Sequence, residues 1–244
     1  LYDHEKYSNF NYRIGKTKFL NLFELQSYLL SSKTNLSLLA ISGYKSLYFL
    51  ENIIHNTKNL GIVSKEAIVS AGHIFQKKKY FKKTKIFPID SEHFSLFESF
   101  KFNNNENNFK KIVLTASGGP FYNKKFKSLE KISFSEAIKH PKWKMGYKNS
   151  IDSATLVNKC LEVVEAHYLF GVPFEKIDII IHPDSLVHAA VEFNNGLLQF
   201  IYHETSMIIP IANAIFEKNF DITDFHRKKN KKKIDNLIFM DVDY

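Results

Sequence analysis

Apolar positions follow two rhythms along this chain. Short apolar runs at Leu36–Ile41 (LSLLAI), Gly61–Val63, Lys85–Phe87 and Ile112–Thr115 have the length and composition of strands. Between them Thr17–Leu30, Tyr44–His55 and a segment from about Glu66 repeat their apolar residues every three to four positions, as helices do, with Ser42-Gly43 as a turn. Strands alternating with helices of this length predict βαβ units and a mostly parallel sheet. After Gly171 the rhythm changes. Ile177–His182, Leu186–Phe193 and Leu197–Tyr202 read as three strands, the last two joined by the hairpin turn Asn194-Asn195-Gly196. A second domain with an antiparallel or mixed sheet is therefore expected from the middle of the chain, followed by a helix over Met207–Phe216. From Lys218 the chain turns polar and basic and ends in a lone apolar patch, Leu237–Met240, which reads as a linker.

One helical stretch stands apart. In Ser150–Glu165 (SIDSATLVNKCLEVVE), Asp152 and Ser153 suit an N-cap, and Val157, Cys160/Leu161, Val164 and Tyr168 recur at helical spacing. At about 100° per residue, Thr155, Asn158, Lys159 and Glu162 fall on the opposite face. A hydroxyl, an amide and an ammonium near a helix N-terminus suit an anion, and Glu162 suits a cation. On spacing alone, a solvated outer face is the plainer reading.

Composition narrows the classes. The 244 residues, 44% hydrophobic and 24% charged, are ordinary globular composition with no run as long as a membrane span and no secretory signal. The chain opens on Leu1 and not Met, as a processed product or a piece of a longer chain would. Its single cysteine, Cys160, allows no internal disulfide and fits a reducing compartment. The net charge of +9 raises the question of nucleic acid, but the lysines sit in two bursts, 76–85 (QKKKYFKKTK) and 227–233 (RKKNKKK), with no nucleic-acid module around them. Neither a nucleic-acid nor a membrane partner is expected.

Three further stretches carry candidate chemistry. In Ile86–Glu92 (IFPIDSE) a strand runs into Pro88 and releases Asp90 and Glu92 two residues apart. In an extended segment both carboxylates point one way, and with Glu162 they make an all-oxygen site for Mg²⁺ or Mn²⁺. A helix start capped by Asp90 or Ser91 is the alternative. Thr115–Phe121 (TASGGPF) allows close backbone approach to a ligand and offers the Ser117 hydroxyl to a phosphate, or is a plain Gly-Gly-Pro turn. His140–Lys148 (HPKWKMGYK), with the only tryptophan, is too polar and broken for a core helix and reads as a lid or binding loop.

Taken in order, IFPIDSEH, TASGGPF, HPKWKMG, SIDSATLVNKCLE and IIIHPDSLVHAAVEF form a specific series, and with GIVSKEAIVSAG at 61–72 the chain resembles the 1-deoxy-D-xylulose-5-phosphate reductoisomerase family from about Leu36 to Phe216. The resemblance implies an α/β fold: the later half of a Rossmann-like dinucleotide-binding domain (1–88), an α+β catalytic domain with a mixed/antiparallel sheet (89–217) and a basic linker (218–244). It implies NADP-dependent isomerisation and reduction of a sugar phosphate, with NADPH and Mg²⁺ or Mn²⁺ as cofactors. Asp90, Glu92 and Glu162 match the family's metal carboxylates; Lys65, Ser91, Ser117, His140, Ser153, Asn158 and Lys159 match substrate ligands, Lys65 and His140 at the catalytic centre. Ser64, Glu66 and Gly146 match NADPH-contacting positions, and Trp143 and Met145 the lid. A homodimer through the catalytic-domain sheet and a cytoplasmic location (a plastid, if eukaryotic) are implied as well.

The chain also departs from the family pattern. The first 35 residues hold only Gly15, so the opening glycine turn that cradles the cofactor pyrophosphate has no counterpart, nor has the closing helical bundle. Ser64 stands for Asn, Cys160 for Gly, and Glu204–Ile209 (ETSMII) lacks the family's proline, acidic residue and arginine. Weak NADPH binding and poor turnover by this chain alone are expected. An inactive relative that keeps the fold as a binding module is the second class the sequence leaves open.

Overall fold

The computed structural model describes residues 20–76, 84–103, 109–143, 145–217, 219–225 and 237–242. The start of the helix expected at Thr17 and nearly all of both lysine bursts lie outside them. The chain divides into two compact units, Leu1–Ile86 and Phe87–Tyr244.

In the first unit, α1 (Leu22–Ser31) is opened by a capping box. The Asn21 side chain accepts from the Glu24 N–H, and Glu24 accepts from the Asn21 N–H. Strand β1 (Thr34–Leu39) leads through α2 (Leu47–Asn56) to β2 (Thr57–Ile62), which pairs with it in parallel, so Leu38 faces Gly61 across the ladder. Helix α3 (Lys65–Gln76) follows, and β3 (Lys85–Pro88) completes a sheet of order β1-β2-β3. Leu39, Leu60, Ile62 and Ile68 are essentially inaccessible. That buried stripe gives the run its strand–helix–strand form, since a parallel sheet needs apolar residues on both faces.

In the second unit, α4 (Ser91–Asn103) precedes β4 (Phe109–Ala116), and β5 (Ile177–Ile181), β6 (Val187–Phe193) and β7 (Leu198–Tyr202) complete a sheet of order β5-β4-β6-β7. β4 is parallel to β5 and antiparallel to β6, and β6 and β7 form the expected antiparallel hairpin. The sheet is therefore mixed. Its core packs Leu96 and Phe100 of α4 and Ala166 from the central helix against Ile112, Leu114, Ala189 and Val191.

Short helix α5 (Phe134–Ala137) and the loop after it lead to the predicted central helix, which is two helices. α6 (Tyr147–Ala154) ends at Thr155, and α7 (Val157–Phe170) starts after Leu156, whose φ of 59° is left-handed. Asp152 and Ser153 lie inside α6 and cap nothing, because the chain is already helical from Tyr147. The burial of α7 is also the reverse of the solvated-face reading. Lys159, Glu162 and Glu165 are 4%, 1% and 1% exposed, whereas Val157 is 46% exposed and Cys160 lies open to solvent.

Helix α8 (Ile208–Phe216) occupies the predicted span. The apolar patch Leu237–Met240 returns to the sheet. Met240 exchanges both backbone hydrogen bonds with Ile181 at the edge of β5 (2.7 and 2.8 Å), and His182 Nδ1 donates to the Ile238 carbonyl at 2.7 Å while its ring stacks on Phe239.

Candidate active site

Asp90 and Glu92 are not side by side on a strand. β3 ends at Pro88, and Asp90 is the N-cap of α4: its carbonyl accepts from Phe94 N–H at 2.8 Å and its carboxylate from Glu92 N–H at 3.3 Å. Glu92 stands in the first helical turn and accepts from the Ser91 hydroxyl at 2.6 Å. The carboxylates still converge, by helix-start geometry instead of the strand period. Carboxylate oxygens of Asp90, Glu92 and Glu162 all lie within 4.8 Å of one another.

Lys159 sits among them. Its ammonium lies 2.9 Å from Glu92 Oε1 and in hydrogen-bond contact with Glu162 Oε2, and Asn158 Nδ2 donates to the other Glu162 oxygen at 2.5 Å. Burial pulls the Lys159 ammonium toward its neutral form, but Glu162 and Glu92 outweigh it and raise its pKa. The ammonium expected on a phosphate is thus engaged by two carboxylates, as a site this rich in negative charge requires.

Several further side chains about this cluster were not assigned from the sequence. His93, fully buried, places Nδ1 3.1 Å from Asp90 Oδ1 and 3.7 Å from Glu165 Oε2, and Nε2 2.9 Å from the Glu162 carbonyl. Both ring nitrogens face acceptors, so both carry protons. Burial alone lowers its pKa, yet Glu165 and Asp90 raise it to about 9. Beside α4, Ser95 Oγ lies 3.4 Å from His203 Nε2, and the His203 ring stacks on His188 at 3.9 Å. Burial and His203 push His188 down to about 3, a neutral ring. The available signals were spacing: His93 lies one turn from Asp90, and Glu165 one turn from Glu162.

The second group of predicted ligands forms around β4 and α6. Ser117 Oγ accepts from Gly119 N–H at 3.1 Å and lies 2.9 Å from His140 Nε2, while His140 Nδ1 accepts from the N–H groups of Lys142 and Trp143 at 3.2 and 2.9 Å. His140 therefore carries its proton on Nε2 and donates it to Ser117, and burial keeps the ring neutral by lowering its pKa. With two donors already on its oxygen, the Ser117 hydroxyl proton is left to point elsewhere. The close approach expected of the glycines is made to protein. A side chain at Gly119, φ +68°, would lie 2.7 Å from the Ser153 carbonyl, so this glycine seats the Ser117 loop on α6. No side chain caps α7, which leaves first-turn N–H groups of a 14-residue helix beside Asn158.

The Trp143 ring lies 6.1 Å from that of His188, Met145 is half-buried, and Lys142 pairs with Asp184 at 3.0 Å. Gly146 is the exposed N-cap of α6, and nothing within 4 Å demands a glycine there. Lys65 opens α3 in the first unit. Next to it Ser64, 4% exposed, lies within hydrogen-bond distance of Ser46 Oγ at 3.1 Å and of the Glu66 carboxylate at 3.2 Å.

Residues 86–170 match the family model for the 1-deoxy-D-xylulose 5-phosphate reductoisomerase C-terminal domain. Over 237 residues the chain is 43% identical to the 1-deoxy-D-xylulose 5-phosphate reductoisomerase of Pelagibacter ubique, spanning 92% of this chain and 60% of that one. The enzyme of the same name from a Sulfurihydrogenibium species is 46% identical over 177 residues, 72% of this chain and 46% of the relative. A crystal structure of DOX-P reductoisomerase in complex with NADPH, fosmidomycin and magnesium superposes with a TM-score of 0.80 at 32% identity, covering 91% of this chain and 57% of that one. The Zymomonas mobilis enzyme in complex with NADPH gives a TM-score of 0.75 at 29% identity over 90% of this chain and 56% of that one. The chain thus spans about half to three-fifths of the length of these proteins.

Proposed function

The chain belongs to the 1-deoxy-D-xylulose 5-phosphate reductoisomerase family, and from that premise we propose that it serves the isomerisation and NADPH-dependent reduction of 1-deoxy-D-xylulose 5-phosphate to 2-C-methyl-D-erythritol 4-phosphate. The observation that carries this reading is the meeting of Asp90, Glu92 and Glu162 within 4.8 Å. The single Lys159 ammonium beside them does not offset three carboxylates held that close, and hard oxygen donors suit Mg²⁺ or Mn²⁺ for the remaining charge. Bound there, the ion supplies Lewis acidity toward the hydroxy-ketone oxygens of the substrate, and NADPH supplies the hydride.

The chain's own residues do the rest. Asp90, Glu92 and Glu162 hold the cation, with Ser91 beside Glu92. Ser117 directs its free hydroxyl proton, fixed by neutral His140, toward the substrate phosphate. Ser153, Asn158 and the N–H groups of α7 add donors, and Lys159, held by Glu92 and Glu162, would be released toward the phosphate were their charge met by a bound cation. Trp143 and Met145 cover the reacting carbons and exclude water. Lys65 touches substrate, and Ser64, Glu66 and Gly146 hold the nicotinamide end of NADPH. The functional division follows 1–88 for cofactor and 89–217 for catalysis, with 218–244 as a linker whose apolar patch Leu237–Met240 is tied back to β5. The apolar side chains of edge strand β7 (Leu198, Phe200 and Tyr202, each more than a third exposed) make the surface for a second copy of the chain. We propose the cytoplasm for this activity on the family resemblance alone. Among the described residues no helix is long and apolar enough to cross a membrane.

The test is a calorimetric titration of Mn²⁺ and of 1-deoxy-D-xylulose 5-phosphate into the chain, with NADPH oxidation followed alongside. Asp90→Asn is expected to weaken Mn²⁺ at least tenfold and to abolish Mn²⁺-dependent substrate binding. Unchanged Mn²⁺ binding in Asp90→Asn and Glu162→Gln alike overturns the reading.

A further inference from the structure

The cation ligands come from two helices with separate origins in the sequence, Asp90 from the start of α4 and Glu162 from α7. Something must hold their spacing, because a shift of about 1 Å between ligands is enough to spoil a site. The His93 ring spans the gap. Nδ1 donates to Asp90 Oδ1 at 3.1 Å and Nε2 donates to the Glu162 carbonyl at 2.9 Å, so one rigid ring links a ligand's carboxylate to another ligand's backbone. A ring held at two edge points still pivots about the line between them. Phe170 stacks on its face at 6.3 Å with planes 17° apart, and the Glu165 carboxylate stands 3.7 Å from Nδ1 with only 2% of its side chain exposed. Glu165 and Glu162 lie one turn apart on α7, so both grips on the ring move as one body.

We infer that Glu165 is a positioning residue for the cation site: through His93 it fixes the Asp90 carboxylate relative to Glu162. The inference rests on the reading of Asp90, Glu92 and Glu162 as cation ligands. Glu165 is not one of the three carboxylates read as ligands. Asp90, His93 and Glu165 also place ligand atoms within 4.8 Å of one another, but with both ring nitrogens of His93 donating, that set has no imidazole lone pair to give a cation. Glu165 acts as the outer partners of metal ligands do, where loss costs about 10–100-fold in affinity.

The experiment is Mn²⁺ binding by the full chain, followed by electron paramagnetic resonance, in the parent, Glu165→Gln and Glu162→Gln, with circular dichroism to check folding. Glu165→Gln is expected to bind Mn²⁺ about 10–100-fold more weakly and to broaden the spectrum of the bound ion, with its fold retained. Glu165→Asp, which keeps the charge and shortens the reach, is expected to fall between Glu165→Gln and the parent. If Glu162→Gln loses Mn²⁺ while Glu165→Gln binds it like the parent with an unaltered spectrum, the positioning role is overturned and the cation reading stands. If the parent itself takes up no Mn²⁺, the cation reading fails, and this inference with it. If neither Glu165 variant folds, the role of Glu165 is purely structural and the inference is overturned.

Discussion

Helices α4 and α7 are each divided along their length, and the two ends are built on opposite principles. Toward their C-termini they present Leu96, Phe100 and Ala166 to the sheet and join an apolar core. Toward their N-termini, and on one face of α7 as far as Glu165, they present Glu92, His93, Lys159, Glu162 and Glu165 to one another, almost as deeply buried, in a web of ion pairs. The apolar half is held by burial, which is indifferent to orientation and tolerant of repacking. The charged half is held by partners that must each be present, because a buried charge left alone is costly. The same pair of helices thus combines a forgiving anchor with an exacting site.

The sharpest way to break this contrast is Lys159→Met. Removing the ammonium leaves Glu92 and Glu162 facing each other, and a loss of about 3–5 kcal/mol is expected in denaturant unfolding without metal. Mn²⁺ should raise the melting temperature of this variant more than that of the parent. A variant as stable as the parent would show that the charged half is not held by charge. Ile112→Ala tests the other half. It should cost about 2–4 kcal/mol by leaving a cavity, while Mn²⁺ affinity stays within twofold.

A pH series sharpens the comparison without mutation. His93 rises from 6.5 to about 9 on folding, in the company of Asp90, Glu162 and Glu165. Its contribution to stability is full below pH 6.5 and fades as pH climbs to about 9, by up to about 3 kcal/mol. The decline should vanish in His93→Gln. A decline that persists there would place its origin elsewhere. The smallest expected effect is Gly119→Ala, which strains a left-handed φ and presses on the Ser153 carbonyl. About 1–2 kcal/mol is expected, with phosphate affinity falling as the Ser117 loop lifts from α6.

The apolar half is also the part that the amino-acid sequence announces. Every strand from Leu36 to Tyr202 falls within a few residues of its predicted span, because strand burial alternates or runs apolar and turns such as Asn195-Gly196 punctuate it. The charged half obeys no such rhythm. The polar face of α7 read as solvent-facing, since spacing cannot distinguish a polar face turned to water from one turned to another polar face. The break at Leu156 was illegible because leucine rarely adopts φ > 0, and nothing local marks it. His93 stood in the quoted IFPIDSEH run, but its role depends on Glu162 and Glu165, far along the chain. Asp90 and Glu92 came together for a reason other than the strand alternation that suggested it.

Cys160 turns the division of α7 into an instrument. It is the chain's single cysteine, exposed and free, on the helix that carries Lys159 and Glu162. Residues two apart on a helix point to nearly opposite sides, so a thiol-reactive fluorophore or nitroxide there would look outward while the carboxylates look in. The probe would report across about one helix diameter, 10–12 Å, a range over which paramagnetic Mn²⁺ strongly quenches and broadens. One labelling reaction on the unmutated chain would give an optical readout of cation occupancy.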